Sequence, residues 1–165
     1  MTGTTILLAD DDPDEYQLIR EALAEEGLLA DDPDEYQLIC GTPEAADTSA
    51  IDLRWVKNGE ELLDYLYHRG KYQDLQSLSL PNLILLDLDM PRKDGREVLQ
   101  EIKSDPKLRY IPIILMTNSY AEEEILHTYE LGANSFITKP ETFKQMAETL
   151  RSLHTYWFKT VKLPT

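Results

Sequence analysis

Cysteine is nearly missing from this chain. Cys40 stands alone, so no disulfide can form within it, and a reducing compartment suits it. Basic residues are scarce as well, with 16 Lys and Arg against 31 Asp and Glu and a net charge of −15. The acidic residues are spread along the chain, and such a balance repels nucleic acid and anionic membrane, which excludes both as partners. No apolar run nears the roughly 20 residues that a membrane helix needs. The start MTGTTILLADD lacks basic residues, and its apolar run is too short for a signal peptide, so the expected location is cytoplasmic. What is present is 165 residues, 42% of them hydrophobic, enough for one domain with a sizeable core.

Short aliphatic runs alternate with helix-period patterns, which predicts βαβ units and a parallel sheet. Strands are expected at Thr5 to Ala9, Asp52 to Val56, Leu83 to Leu86, Ile113 to Met116 and Ser135 to Ile137. The third and fourth are continuously apolar, as strands covered on both faces are. Asp12 followed by Pro13 marks an N-cap and first helical residue, opening a helix that runs to Glu26. The second helix spans Glu60 to His68, with Leu62, Leu63 and Leu66 on one face, and the third Arg96 to Ser104. The fourth, Ala121 to Leu131, stops at Gly132 as a left-handed cap, and the fifth spans Thr142 to Tyr156.

One segment breaks the alternation. LLADDDPDEYQLI (Leu7 to Ile19) recurs as LLADDPDEYQLI (Leu28 to Ile39), identical once one aspartate is dropped. Two copies at close spacing do not make a solenoid. Thr4-Thr5-Ile6 precedes the first copy and Gly27 the second, and glycine is the poorer strand former. The first strand, with Asp10 and Asp11 at its end, is therefore assigned to the first copy rather than to Asp31 and Asp32. Residues 28–50 are read as an insertion, in which Asp32-Pro33 starts a short helix ended by Gly41 and GTPEAADTSA forms a loop.

In an open parallel sheet the carboxyl ends of the strands share one edge, and ligands bind in the crevice there. ILLADD ends in Asp10 and Asp11, and LILLDLDMPRKDG sets Asp87 straight after four apolar residues. IPIILMTNS carries Thr117 near its end, and FITKP sets Lys139 before a proline. Taken singly, Asp10-Asp11-Asp12 is a solvated turn with a helix cap, Thr117 a common strand-end residue and Lys139 a common surface lysine. Gathered at one edge, they suit a divalent cation and a phosphoryl group. Crowded carboxylates repel one another unless a cation sits among them. Mg2+ favours oxygen ligands and keeps several waters, so the expected set is Asp11, Asp87 and a backbone carbonyl near Asp89, with Asp10 orienting water. Packing explains Asp87 poorly, because a charge buried at a strand end needs compensation. It serves as the nucleophile for a phosphoryl group, with Lys139 and Thr117 facing the phosphoryl oxygens.

ILLADD, LILLDLDMPRKDG, IILMTNS and FITKP, in this order, resemble the receiver domain of two-component response regulators. The resemblance covers nearly the whole chain apart from the insertion. It implies a flavodoxin-like (βα)5 fold, a doubly wound parallel sheet of strand order 2-1-3-4-5. It also implies that Asp87 accepts phosphate from a phosphohistidine on a sensor histidine kinase, with Asp10 and Asp11 serving Mg2+. Thr117 and Phe136 match the pair that rearranges after phosphorylation, and the bond matching Lys139-Pro140 is usually cis in the family. The stretch from Asp89 to Ser119 and the ending YWFKTVKLP are similar to single-domain regulators paired with phytochromes.

The chain departs from that pattern at Asn118, where a smaller residue is usual, at Phe136, which lacks a tyrosine hydroxyl, and at the acidic Asp89. One domain over 1–165 is expected, with 157–165 as a tail and output through protein contacts. Tyr156, Trp157 and Phe158 form an apolar patch for packing on the domain or on a second copy, through helix four, strand five and helix five. Asp87-x-Asp89 also resembles the signature of aspartate-nucleophile phosphatases, but Met90-Pro91 replaces their usual glycine–threonine. The expectation is a phosphoacceptor and not an enzyme. A receiver used only for binding is the third alternative.

Overall fold

Among the described residues five strands form: β1 (Thr4–Ala9), β2 (Ile51–Val56), β3 (Leu83–Leu86), β4 (Ile113–Thr117) and β5 (Ser135–Thr138), of which β3 and β4 are buried throughout and the outer β2 and β5 are only partly buried. All pair in parallel, in the order β2-β1-β3-β4-β5. This is the doubly wound, flavodoxin-like topology. The computed structural model describes residues 4–30, 50–73, 79–119 and 121–164. The helix expected at Asp32-Pro33, its stop at Gly41, the second acid pair Asp31 and Asp32, and Cys40 lie outside the described residues.

Among the described residues five α-helices connect or follow the strands: α1 (Pro13–Glu25), α2 (Gly59–Tyr67), α3 (Gly95–Ser104), α4 (Glu122–Glu130) and α5 (Phe143–His154). Four start on a side-chain cap that accepts a backbone N–H: Asp12, Asn58, Asp94 and Thr142. Each relieves one orphan donor of the first turn. Gly132, with φ +108°, follows α4 in the left-handed region, as its position in the sequence suggested. The fifth helix is α-helical to His154 and continues as a wider π-helical turn over Thr155–Thr160.

Successive strand residues point to opposite faces, and the sheet sorts its core accordingly. Leu7, Ala9, Ile84, Leu86, Ile113 and Leu115 face α2 and α3, where Leu62, Leu66, Val98 and Leu99 meet them. Ile6, Leu8, Leu83, Leu85, Ile114 and Met116 face α1 and α5, where Ile19, Leu23, Met146 and Leu150 meet them. Trp157 and Phe158 pack against this second layer, which settles the tail's intramolecular reading for those two rings, while Tyr156 stays exposed.

The near-copy of the first strand is used differently. Leu28, Leu29 and Ala30 reach the outer edge of β2, where Ile51 donates its N–H to Leu28 and accepts one from Ala30. The first copy holds the sheet interior, with β2 on one side and β3 on the other.

Leu85, fully buried in the middle strand, reports the core. Leu85→Ala should lower the unfolding free energy by about 2–5 kcal/mol, whereas at the exposed Leu126 the change to alanine should move it by under about 0.5 kcal/mol. Chemical denaturation of both variants checks the assignment.

Candidate phosphoryl-transfer site

Strand register delivers the site. Ala9 pairs with Leu86, and Asp87 donates its N–H to the Ala9 carbonyl at 2.9 Å, so Asp10 and Asp87 leave neighbouring strands at one level. On the other side Thr117 pairs with Thr138, and Lys139 donates its N–H to the Thr117 carbonyl at 2.8 Å. Four strands thus bring Asp10, Asp11, Asp87, Thr117 and Lys139 to one edge.

The Lys139 ammonium lies 3.1 Å from Asp10 Oδ2 and 3.4 Å from Asp87 Oδ2. Burial alone would lower its pKa, but the Asp10 and Asp87 carboxylates outweigh that and hold it above the ordinary lysine value. Asp87 is 7% exposed, and its carboxyl is pushed up to about 6. Desolvation is the main cause and Asp10 adds to it; Lys139 and the Asp89 N–H, at 3.3 Å from Asp87 Oδ1, oppose it. One ammonium does not balance this edge. Asp10, Asp11 and Asp87 each offer a carboxylate oxygen within 4.8 Å of the others, a spacing that one cation can bridge.

The Thr117 hydroxyl strengthens the fit. It is fully buried at the end of β4, and its oxygen has no hydrogen-bond partner among the described residues. Buried polar groups are normally satisfied, so an orphan hydroxyl at the strand edge that also carries Asp10, Asp87 and Lys139 suits a ligand oxygen. An all-oxygen donor set beside a lysine and a free hydroxyl suits a hard cation with a phosphoryl group.

The loop that follows Asp87 is drawn tightly back on itself. Gly95 donates its N–H to the Leu88 carbonyl at 3.0 Å, and a Cβ there would meet the Asp87 carbonyl oxygen at 2.6 Å. Only glycine allows that approach.

Asp10, Asp11, Asp87, Thr117 and Lys139 lie at this edge, whereas Phe136 sits two residues back along β5, paired with Leu115, and Asp89 turns its side chain to solvent with only its backbone N–H meeting Asp87. One expectation fails: no cis peptide bond occurs among the described residues, so Lys139-Pro140 is trans. The trans form is the more stable by about 0.5–1 kcal/mol, and β5 register already aims the lysine. Phe136 is partly buried against the core, and its backbone N–H donates to the Tyr129 hydroxyl at 3.1 Å. Three participants had no sequence signal. Trp55 donates its indole N–H to the Asp10 carbonyl, Arg96 joins Asp94 to Glu124 on α4, and Glu15 on α1 adds a half-buried carboxyl near Lys139 and Asp10. Alternation along β2 and a charge count could not have picked them out.

A family model described as "Response regulator receiver domain" matches residues 28–151. The match starts in the second near-copy, whereas the fold builds its inner strand from the first; the shared LLADD lets a sequence match take either. Response regulator Rcp1 of Synechocystis sp. is 39% identical over 123 residues, covering 73% of this chain and 82% of Rcp1. Among solved structures, the phosphorylated cyanobacterial phytochrome response regulator RcpA is 35% identical with a TM-score of 0.78, covering 99% of this chain and 100% of that one. The Mn2+-bound form of Rcp1 is 31% identical with a TM-score of 0.76, covering 98% and 99%.

The raised Asp87 value sets a pH dependence for the metal-free protein. A raised folded pKa means that the stability is fully present below about pH 4 and is lost as pH rises through about 6. Asp87→Asn should therefore stabilise the metal-free protein by about 2–3 kcal/mol at pH 7 and by almost nothing at pH 4. Thermal melts in EDTA at the two pH values measure the difference.

Proposed function

This chain belongs to the response regulator receiver domain family, and on that premise we propose that Asp87 is its phosphoacceptor, charged by a sensor histidine kinase. The orphaned Thr117 hydroxyl, at the same strand edge as the Asp10–Lys139–Asp87 cluster, carries this reading. An Asp87 carboxylate oxygen attacks the phosphorus of a phosphohistidine. The new O–P bond forms as the P–N bond breaks, and the imidazole leaves with the electron pair. Lys139 neutralises the phosphoryl oxygens, and Thr117 donates the hydrogen bond it lacks before transfer. Its shift and that of Phe136 carry the change to α4 and β5.

Asp10, Asp11 and Asp87 would hold the cation, with the Asp89 carbonyl as a further donor, and Mg2+ would fit such an all-oxygen set. When bound, it cancels the repulsion between the carboxylates and the incoming phosphoryl oxygens. Rcp1 in its Mn2+-bound form supports a divalent cation at such a site. The kinase is a phytochrome, a reading supported by the likeness to a phytochrome response regulator. The chain acts in the cytoplasm as one receiver domain over 1–165, with 28–50 inserted and 157–165 as a tail, and turns over no substrate. A second copy is its partner through α4, β5 and α5, where Leu126, Tyr129 and Tyr156 are exposed.

Incubation with Mg2+ and labelled acetyl phosphate should leave one hydroxylamine-labile label per chain, and none in Asp87→Asn. Multiple turnover of phosphate esters would instead mark a phosphatase. Lys139→Ala should still take up label but lose the spectral change that beryllofluoride induces in the wild type. An equal change in both proteins would deny Lys139 its role.

A further inference from the structure

The turn that carries both acidic ligands, between β1 and α1, is held from outside by one side chain of β2. The Trp55 indole N–H donates to the Asp10 carbonyl at 2.8 Å, and the Asp10 N–H donates to the Val56 carbonyl at 3.1 Å. Two consecutive residues of β2 thereby grip both sides of Asp10. Its carbonyl belongs to the peptide that joins Asp10 to Asp11, so fixing that group fixes the plane from which the Asp11 side chain departs. Asp11 needs such help. It is exposed and its carboxylate accepts no hydrogen bond among the described residues, yet one of its oxygens stays within 4.8 Å of those of the buried Asp10 and Asp87.

A second contact ties the same indole to the helix that follows. Tyr16, in the first turn of α1, lies flat on Trp55 with ring centroids 4.7 Å apart and planes 6° from parallel. Lys57 Nζ sits 5.4 Å from the centre of the indole ring. Stacking of this kind fixes the ring without any polar group of its own. The hydrogen bond and the stack meet in one side chain, which spans the turn from its carbonyl to its helix.

We propose that Trp55 is a positioning residue of the cation site, orienting the Asp10–Asp11 peptide so that the Asp11 carboxylate faces Asp87. The proposal rests on the cation-dependent phosphoacceptor reading. Trp55 touches neither cation nor phosphoryl group, and its effect reaches them through a backbone plane.

Trp55→Phe removes the donor and keeps an aromatic ring, of smaller area, for Tyr16 to stack on. Its Mn2+ dissociation constant, from electron paramagnetic resonance titration, should rise about 5–10-fold, with the thermal midpoint in EDTA little changed. Labelling by acetyl phosphate should fall far more at limiting than at saturating Mg2+. In Trp157→Phe, which leaves Trp55 as the lone tryptophan, the indole N–H should exchange with solvent more slowly once Mg2+ is added. Equal Mn2+ affinity in Trp55→Phe and wild type, or an indole N–H whose exchange ignores Mg2+, would overturn the proposal and leave the phosphoacceptor reading intact. A wild type that binds no Mn2+ and takes no label would overturn both.

Discussion

Lys139 sets a single positive charge against Asp10 and Asp87 at an edge that also carries Asp11, so the site is negative before any ligand arrives. Two of these carboxylates are buried, and burying charge is costly unless it is paired. The ammonium offsets part of that cost, and the raised Asp87 value is the part left over. A sheet that did not lock its register could not hold such groups together, because they would drift apart into water. Two apolar layers, one on each face, supply the rigidity. The excess charge that weakens the empty fold is the same excess that gives a divalent cation something to bind.

The fold was legible because its inner strands are short and aliphatic and are separated by helix-period patterns, the first of them opened by Asp12-Pro13. Parallel strands in that order leave one edge for their carboxyl ends, so Asp10, Asp87, Thr117 and Lys139 could be placed together from strand ends alone. Trp55 could not. Along β2 it reads as an ordinary strand aromatic, and its bond goes to a backbone atom of a residue 45 positions away. Arg96 was similarly silent, since its partner Glu124 lies on another helix and in an acidic run that looks like a solvated face. The Lys139-Pro140 isomer was misjudged because family habit stood in for a local reason. Here the backbone bond from Lys139 to Thr117 does the aiming.

The near-identical copies show where local sequence stops deciding. LLADD occurs twice, and the family match begins with the second occurrence. Flanking residues break the tie: Thr4, Thr5 and Ile6 extend the first copy into a strand of six residues, while Gly27, with φ +69°, turns the chain just before the second. A longer ladder between two neighbours wins the inner position. Three residues of the other copy, 28–30, remain at the rim.

That rim has a bearing on how these molecules behave in a crowd. A sheet of five strands ends in two lines of unpaired amides and carbonyls, which can recruit a strand from another molecule and start aggregation. At β2 the residues 28–30 already occupy the N–H and C=O of Ile51, and at β5 the Tyr129 hydroxyl occupies the N–H of Phe136. Each border is thus interrupted by the chain itself, by a spare strand fragment on one side and a single phenol on the other, which blunts the template for self-association through either border.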